Sequence, residues 1–183
     1  MIYLLDSNIF ITPANTFYRF AFGMNFWNFL VDKAENGKLA SLDKVKEEIN
    51  RCENNLKEWA NNYFSNYFLN TKDPKVIQKY SELMRWAESK NNHYTRNAID
   101  EFMKEDNADP WLIAFALSKK ENYKIVTFEK FNKDQKNRIP IPNVCKEFNL
   151  YTCDLYQMLK DLNFKEVYYE TLSTKYSREY KLG

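Results

Sequence analysis

Four short segments of this chain carry apolar residues without in–out alternation: Ile2 to Leu5, Leu39 to Leu42, Tyr123 to Thr127 and Leu150 to Cys153. A strand with one wet face alternates, because successive side chains point to opposite sides; a strand covered on both faces need not. The intervals between these segments carry helical spacing instead. Phe26 to Val31 lead to a stop at Asn36-Gly37, and Asp43 can cap a helix through Val45, Ile49, Cys52, Leu56, Trp59 and Ala60. Asp73-Pro74 opens a helix with the stripe Val76, Ile77, Tyr80, Leu83, Met84 and Ala87, and a short one surrounds Ile99, Phe102 and Met103. Asp109-Pro110 repeats the cap-then-proline signature before Trp111 to Leu117, which is apolar all round and therefore predicts a buried helix. Ile139-Pro140-Ile141-Pro142 predicts an extended approach to a brief helix over Val144 to Phe148, and Leu155 to Leu162 a last helix. Buried strands separated by helices predict an α/β fold with a largely parallel sheet. In such sheets reactive groups gather beyond the carboxyl ends of the strands, where Asp6 and Thr127 to Glu129 fall.

Composition removes several kinds of chemistry. His93 is the single histidine, so polyhistidine zinc sites are excluded, and its polar surroundings predict a surface residue. Three glycines, Gly23, Gly37 and Gly183, cannot make a glycine-rich nucleotide loop. Cys52, Cys145 and Cys153 form no C-x-x-C pair and predict reduced thiols. The opening Met1-Ile2-Tyr3-Leu4-Leu5-Asp6 has no basic leader, and no apolar run approaches the ~20 residues of a membrane span. The expectation is a cytoplasmic protein with no membrane partner. Net charge is only +2, yet Ser118 to Arg138 holds seven basic residues against three acids. Lys119, Lys120, Lys130 and Lys133 in that run are candidate contacts for a nucleic-acid backbone; a solvated surface explains the same run.

Three acids stand out by context: Asp6 at a strand end, Glu48 within a helix beside Val45 and Ile49, and Asp109 at the start of the buried helix. Carboxylates crowded together repel and take up protons unless a cation neutralises them, and hard divalent ions such as Mg²⁺ or Mn²⁺ prefer oxygen ligands. Each acid has a plainer explanation too. Asp109 would serve as an N-cap and Glu48 as an ordinary surface acid, whereas a strand-end acid after four apolar residues points towards the core.

The order of these segments resembles the PIN-domain nucleases. Tyr3-Leu4-Leu5-Asp6-Ser7-Asn8 resembles their opening strand and Asp-x-Asn; Val45-Lys46-Glu47-Glu48-Ile49 their helical glutamate; Ala108-Asp109-Pro110-Trp111-Leu112-Ile113-Ala114 their third acid; and Val126-Thr127-Phe128-Glu129 their strand, threonine and acid. Ile141-Pro142-Asn143-Val144-Cys145 is similar to a little-characterised PIN-like bacterial subgroup. The resemblance covers residues 1–162 and leaves an aromatic-rich tail at 163–183, suited to packing, a homodimer contact or an antitoxin. It implies a three-layer α/β/α sandwich with a mainly parallel sheet of four or five strands. The implied activity is metal-dependent cleavage of RNA, as in VapC-type toxins of toxin–antitoxin pairs. Asp6, Glu48 and Asp109 would hold Mg²⁺ or Mn²⁺, with Asn8 or Thr127 orienting an acid or a water around them. The fourth position departs from the usual aspartate, so Glu129 would act through a water more readily than by direct ligation. Two rivals remain: a PIN-like module that binds RNA or protein without chemistry, and a phosphatase using Asp6 as nucleophile. The second normally requires another aspartate where Asn8 stands.

Overall fold

The computed structural model describes residues 1–52, 55–91, 93–119 and 122–165. Five strands, β1 (Ile2–Leu5), β2 (Leu39–Leu42), β3 (Phe68–Leu69), β4 (Tyr123–Val126) and β5 (Tyr151–Cys153), form one all-parallel sheet in the order β3-β2-β1-β4-β5. Helices flank it to give a three-layer α/β/α sandwich. Those in the first half are α1 (Asn8–Asn15), α2 (Met24–Glu35), α3 (Asp43–Asn50), α4 (Asn55–Asn62) and α5 (Pro74–Ser89). Then follow α6 (Arg96–Phe102), α7 (Ala108–Ser118), α8 (Ile141–Glu147) and α9 (Leu155–Asp161). Every residue of β2 is buried, as are Tyr3, Leu4 and Leu5 of β1, which accounts for the missing alternation. No helix among the described residues is long and apolar enough to cross a membrane.

The expected helices form, with four differences. The first is α1, concealed because the turn-formers Asp6-Ser7-Asn8 precede it and Pro13 sits inside it, where proline removes a backbone donor. A second is the break in the helix expected from Asp43 through Ala60, which ends at Asn50 and resumes at Asn55. One rod over that span would run roughly 27 Å. The break instead lets Val45 and Ile49 pack in α3 while Leu56, Trp59 and Ala60 turn into the aromatic cluster. Third, Asp43 lies inside α3 as its first residue. Its carboxylate accepts from the Lys44 and Thr71 amides at 2.9 and 3.1 Å, tying α3 to the segment after β3. Fourth, Ile141 and Pro142 begin α8 instead of extending the loop, since proline suits the first helical turn.

That aromatic cluster is the densest part of the core. Phe10, Trp27, Trp59 and Phe64 join α1, α2, α4 and the turn before β3, with Trp27 and Trp59 centroids 4.8 Å apart. Trp27 is fully buried, stacks on Phe20 at 4.4 Å, and donates its indole N–H to the Tyr18 carbonyl at 2.7 Å. Phe164 packs edge-on against Tyr18, Phe26 and Phe29, so the folded domain includes the start of the expected tail; residues 166–183 lie outside the described residues. His93 is exposed, Cys145 is buried, and Cys52 and Cys153 are partly buried free thiols.

Candidate functional site

β1 has β2 on one side and β4 on the other, so the chain leaves it towards opposite halves of the sheet. At such a switch point the connections diverge and leave a crevice beyond the carboxyl ends of the strands. Asp6 is the first residue past β1 there and is fully buried, with its amide donating to the Val126 carbonyl at 3.1 Å. Thr127, just past β4, donates its hydroxyl to Asp6 Oδ2 at 2.9 Å and accepts the Glu129 amide at 3.1 Å. Ser7 Oγ donates to Asp6 Oδ1 at 3.3 Å.

Helices α3 and α7 bring the other two acids. Glu48 Oε1 accepts the Ala108 amide at 2.9 Å, so this glutamate sits against the positive end of α7. Asp109 does not cap α7. The cap is Asn107, whose side-chain oxygen accepts the Asp109 amide at 3.0 Å, and this corrects the reading of Asp109 as N-cap. A cap needs extended backbone outside the helix, which Asn107 supplies. Asp109 is left with a side chain only 15% exposed and an ion contact to Arg138 Nη2 at 3.6 Å.

Glu129 is no surface counterweight to Lys130 and Lys133. Its side chain is 10% exposed, and Oε2 accepts the Ile141 amide at 2.7 Å. Oε1 forms an ion pair with Arg138 Nη2, yet it is buried and has no hydrogen-bond donor aligned on it.

Charge accumulates at this point. Burial pushes the Asp6 carboxyl up from 3.8 to about 6; the hydroxyls of Thr127 and Ser7 oppose the rise, and the charges of Glu129 and Glu48 add to it. Asp109 is raised well above its ordinary value, first by burial, then by Asp6 and Glu129, with Arg138 opposing. Glu48 and Glu129 thus act electrostatically on both Asp6 and Asp109, and Asp6 on Asp109, across contributions from the end of β1, α3, α7 and the segment after β4.

Glu48 and Asp109 reach a cleft of about 610 Å³ that Asn8, Arg51, Lys104 and Arg138 also line; Asp6 and Glu129 sit behind them and do not line it. Asn8, the first residue of α1, therefore reaches the site. The candidate lysines do not gather there. Lys119 ends α7, roughly 15 Å along the helix from Asp109, and pairs with Asp73 at 3.2 Å. Lys130 and Lys133 are exposed beyond Glu129, and Lys120 lies outside the described residues. The basic side chains at the cleft are Arg51, Lys104 and Arg138. Sequence offered a signal for Arg51, three residues after Glu48 and so on the same helical face, and none for Lys104.

A family model described as a domain of unknown function (DUF4411) matches residues 3–166. The chain belongs to the DUF4411 family. No curated protein and no solved structure matches it.

The donor chemistry of this DUF4411 site suits a hard divalent cation: carboxylate oxygens, with two of the groups driven towards protonation. As they stand, no three acidic, histidine or cysteine side chains among the described residues are grouped closely enough to enclose an ion. Arg138 supplies the cationic contact to Asp109 and Glu129. These side chains would have to repack before any three of them could enclose a cation.

Proposed function

We propose that this DUF4411 chain is a Mg²⁺- or Mn²⁺-dependent endoribonuclease that hydrolyses RNA phosphodiesters. The observation that carries the reading is the convergence of Asp6, Glu48, Asp109 and Glu129 at the switch point of a parallel sheet, with two of the carboxyls pushed towards protonation. Such an arrangement costs stability, and the expense makes sense where a cation is to be held. Asp6, Glu48 and Asp109 would hold the ion, which would supply positive charge to a phosphoryl group during displacement. Thr127 fixes the orientation of Asp6, and Asn8 faces the cleft beside it. Glu129, anchored through Oε2, would offer Oε1, which Arg138 pairs in this structure, to a water molecule and take its proton as the water oxygen bonds to phosphorus and the P–O bond to a ribose oxygen breaks.

A toxin role, with an antitoxin protein as partner and the cytoplasm as location, rests on the resemblance to VapC-type proteins. The residues beyond 162 are the proposed contact for an antitoxin or a second copy. Incubation of single-stranded RNA with chelator-treated protein, with and without Mg²⁺ or Mn²⁺, tests the activity. Cleavage should need the ion and vanish in Asp6→Asn. If divalent ions neither support cleavage nor raise the melting temperature, the metal-dependent reading is lost. A module that binds RNA or protein without cutting is the second reading. Arg138 favours it, because its contacts already offset charge on Asp109 and Glu129; retention of RNA with no cleavage at any ion concentration would select it.

A further inference from the structure

Arg138 is the described cation that contacts the acidic group. Arg51 pairs with Asp106 at 3.2 Å and Lys104 with Glu101 at 2.5 Å, whereas Arg138 bridges Glu129 and Asp109. The three side chains of this bridge differ in burial. Arg138 is 55% exposed and lines the cleft, while the two acids it touches are nearly covered, so the guanidinium reaches them from the solvent side. The two contacts are unequal, the one to Glu129 being the closer. The Asp109 contact is 3.6 Å, and Glu129 Oε1 accepts no aligned hydrogen bond. The backbone around Arg138 is held more firmly than its side chain. Ile139 is buried, and the Thr95 amide donates to the Lys136 carbonyl at 2.9 Å. Farther back in the same loop, Asn132 donates its amide to Asn143 of α8 at 3.0 Å, and its carbonyl accepts from the Asn143 side chain at 2.8 Å. The side chain can therefore swing without the loop unfolding.

Resting on the metal-dependent reading above, we propose that Arg138 exchanges partners during function. In the metal-free protein it is the counter-ion of Asp109 and Glu129; once a divalent cation takes over Asp109 and its charge offsets that of nearby Glu129, the guanidinium turns into the cleft and binds a phosphate of the RNA substrate. Two positive charges competing for the same carboxylates cannot both be satisfied there, and a guanidinium released beside them meets an incoming phosphate with a planar pair of donors. Arg138 thereby weakens metal binding in the empty protein and strengthens substrate binding in the loaded one.

Arg138→Gln and Arg138→Lys separate these effects. Mn²⁺ titration by calorimetry at pH 8 should show Arg138→Gln binding the ion about tenfold more tightly than the wild type, the scale of one charge-assisted contact removed from competition. Its metal-free melting temperature should fall. With Mn²⁺ saturating, a labelled 2′-O-methyl oligoribonucleotide, its integrity checked on a gel, should bind Arg138→Gln about tenfold more weakly. Its slope of log affinity against log salt should be flatter by about 0.7, the value for one phosphate on a single strand. Arg138→Lys should keep the slope, as it keeps the charge. Unchanged or weaker Mn²⁺ binding in Arg138→Gln overturns the exchange, and so does unchanged oligonucleotide binding in the loaded protein. If neither wild type nor Arg138→Gln binds Mn²⁺, the metal-dependent reading falls as well; if both bind it equally, only the exchange falls.

Discussion

The aromatic cluster and the acidic crevice sit on the same sheet and are built on opposite energetic terms. Around Trp27, Phe10, Trp59 and Phe64, apolar area leaves water and the Trp27 indole N–H finds an acceptor, so burial stabilises. Around Asp6, comparable burial opposes the charged form of a carboxyl that has Glu48, Asp109 and Glu129 for neighbours. One region holds the fold together, and the other draws on the stability the first supplies.

The widest effect expected from breaking the contrast lies in the aromatic region. Trp27→Ala removes a fully buried indole from two close ring contacts and should cost roughly 3–5 kcal/mol. Urea denaturation would read this directly, and a cost below about 1 kcal/mol would show that the cluster can collapse around the gap.

The opposite sign is expected at Asp6. Its folded carboxyl is raised to about 6, so the native protein retains a proton that the unfolded chain releases from about pH 4 upwards. Metal-free stability from this group is therefore present below pH 4 and lost as pH rises through about 6. Asp6→Asn should remove that loss and make the chelated protein more stable at pH 8, by on the order of 3 kcal/mol at most. A parallel pH dependence in wild type and Asp6→Asn would show that Asp6 carries no such burden.

Glu129→Gln should have a smaller and more selective effect. Glutamine can still accept the Ile141 amide, so the fold and most of the metal affinity should persist. Cleavage should slow by roughly ten- to a hundredfold, less than in Asp6→Asn. Metal affinity lost as deeply as in Asp6→Asn would make Glu129 a direct ligand instead.

The slightest changes should come from the lysines. Charge removal at exposed Lys130 or Lys133 should flatten the salt slope of RNA affinity by no more than about 0.7 each. Lys119, paired with Asp73 at the far end of α7, should leave it unaltered. A flattened slope in Lys119→Gln would extend the RNA path along that helix.

Much of this was legible before any coordinates, and for local reasons. The four longer strands show as short segments without alternation, although burial is unbroken only in β2 and edge strand β5 exposes Tyr151; Asp73 caps α5 through the Lys75 amide as its proline signature requires. Two-residue β3 is too short for any period to register, and α1 was hidden by Pro13. Asp109-Pro110 marks the start of α7 correctly, but the cap is Asn107, two residues earlier, which offers equally good capping chemistry. Glu129 was recognised as an acid after a strand, but its burial depends on Ile141 and Arg138, which no spacing rule connects to it.

The sequence by itself determined the α/β alternation, the strand-end position of Asp6 and the presence of acids on three further segments, because burial pattern and capping chemistry act over a few residues. Only the tertiary structure decided that these acids meet, that Arg51, Lys104 and Arg138 rather than the lysine run line the cleft, and that one guanidinium spans two carboxylates. Those outcomes depend on strand order and on where a loop crosses the sheet edge, and charges brought together from distant segments leave no local pattern behind.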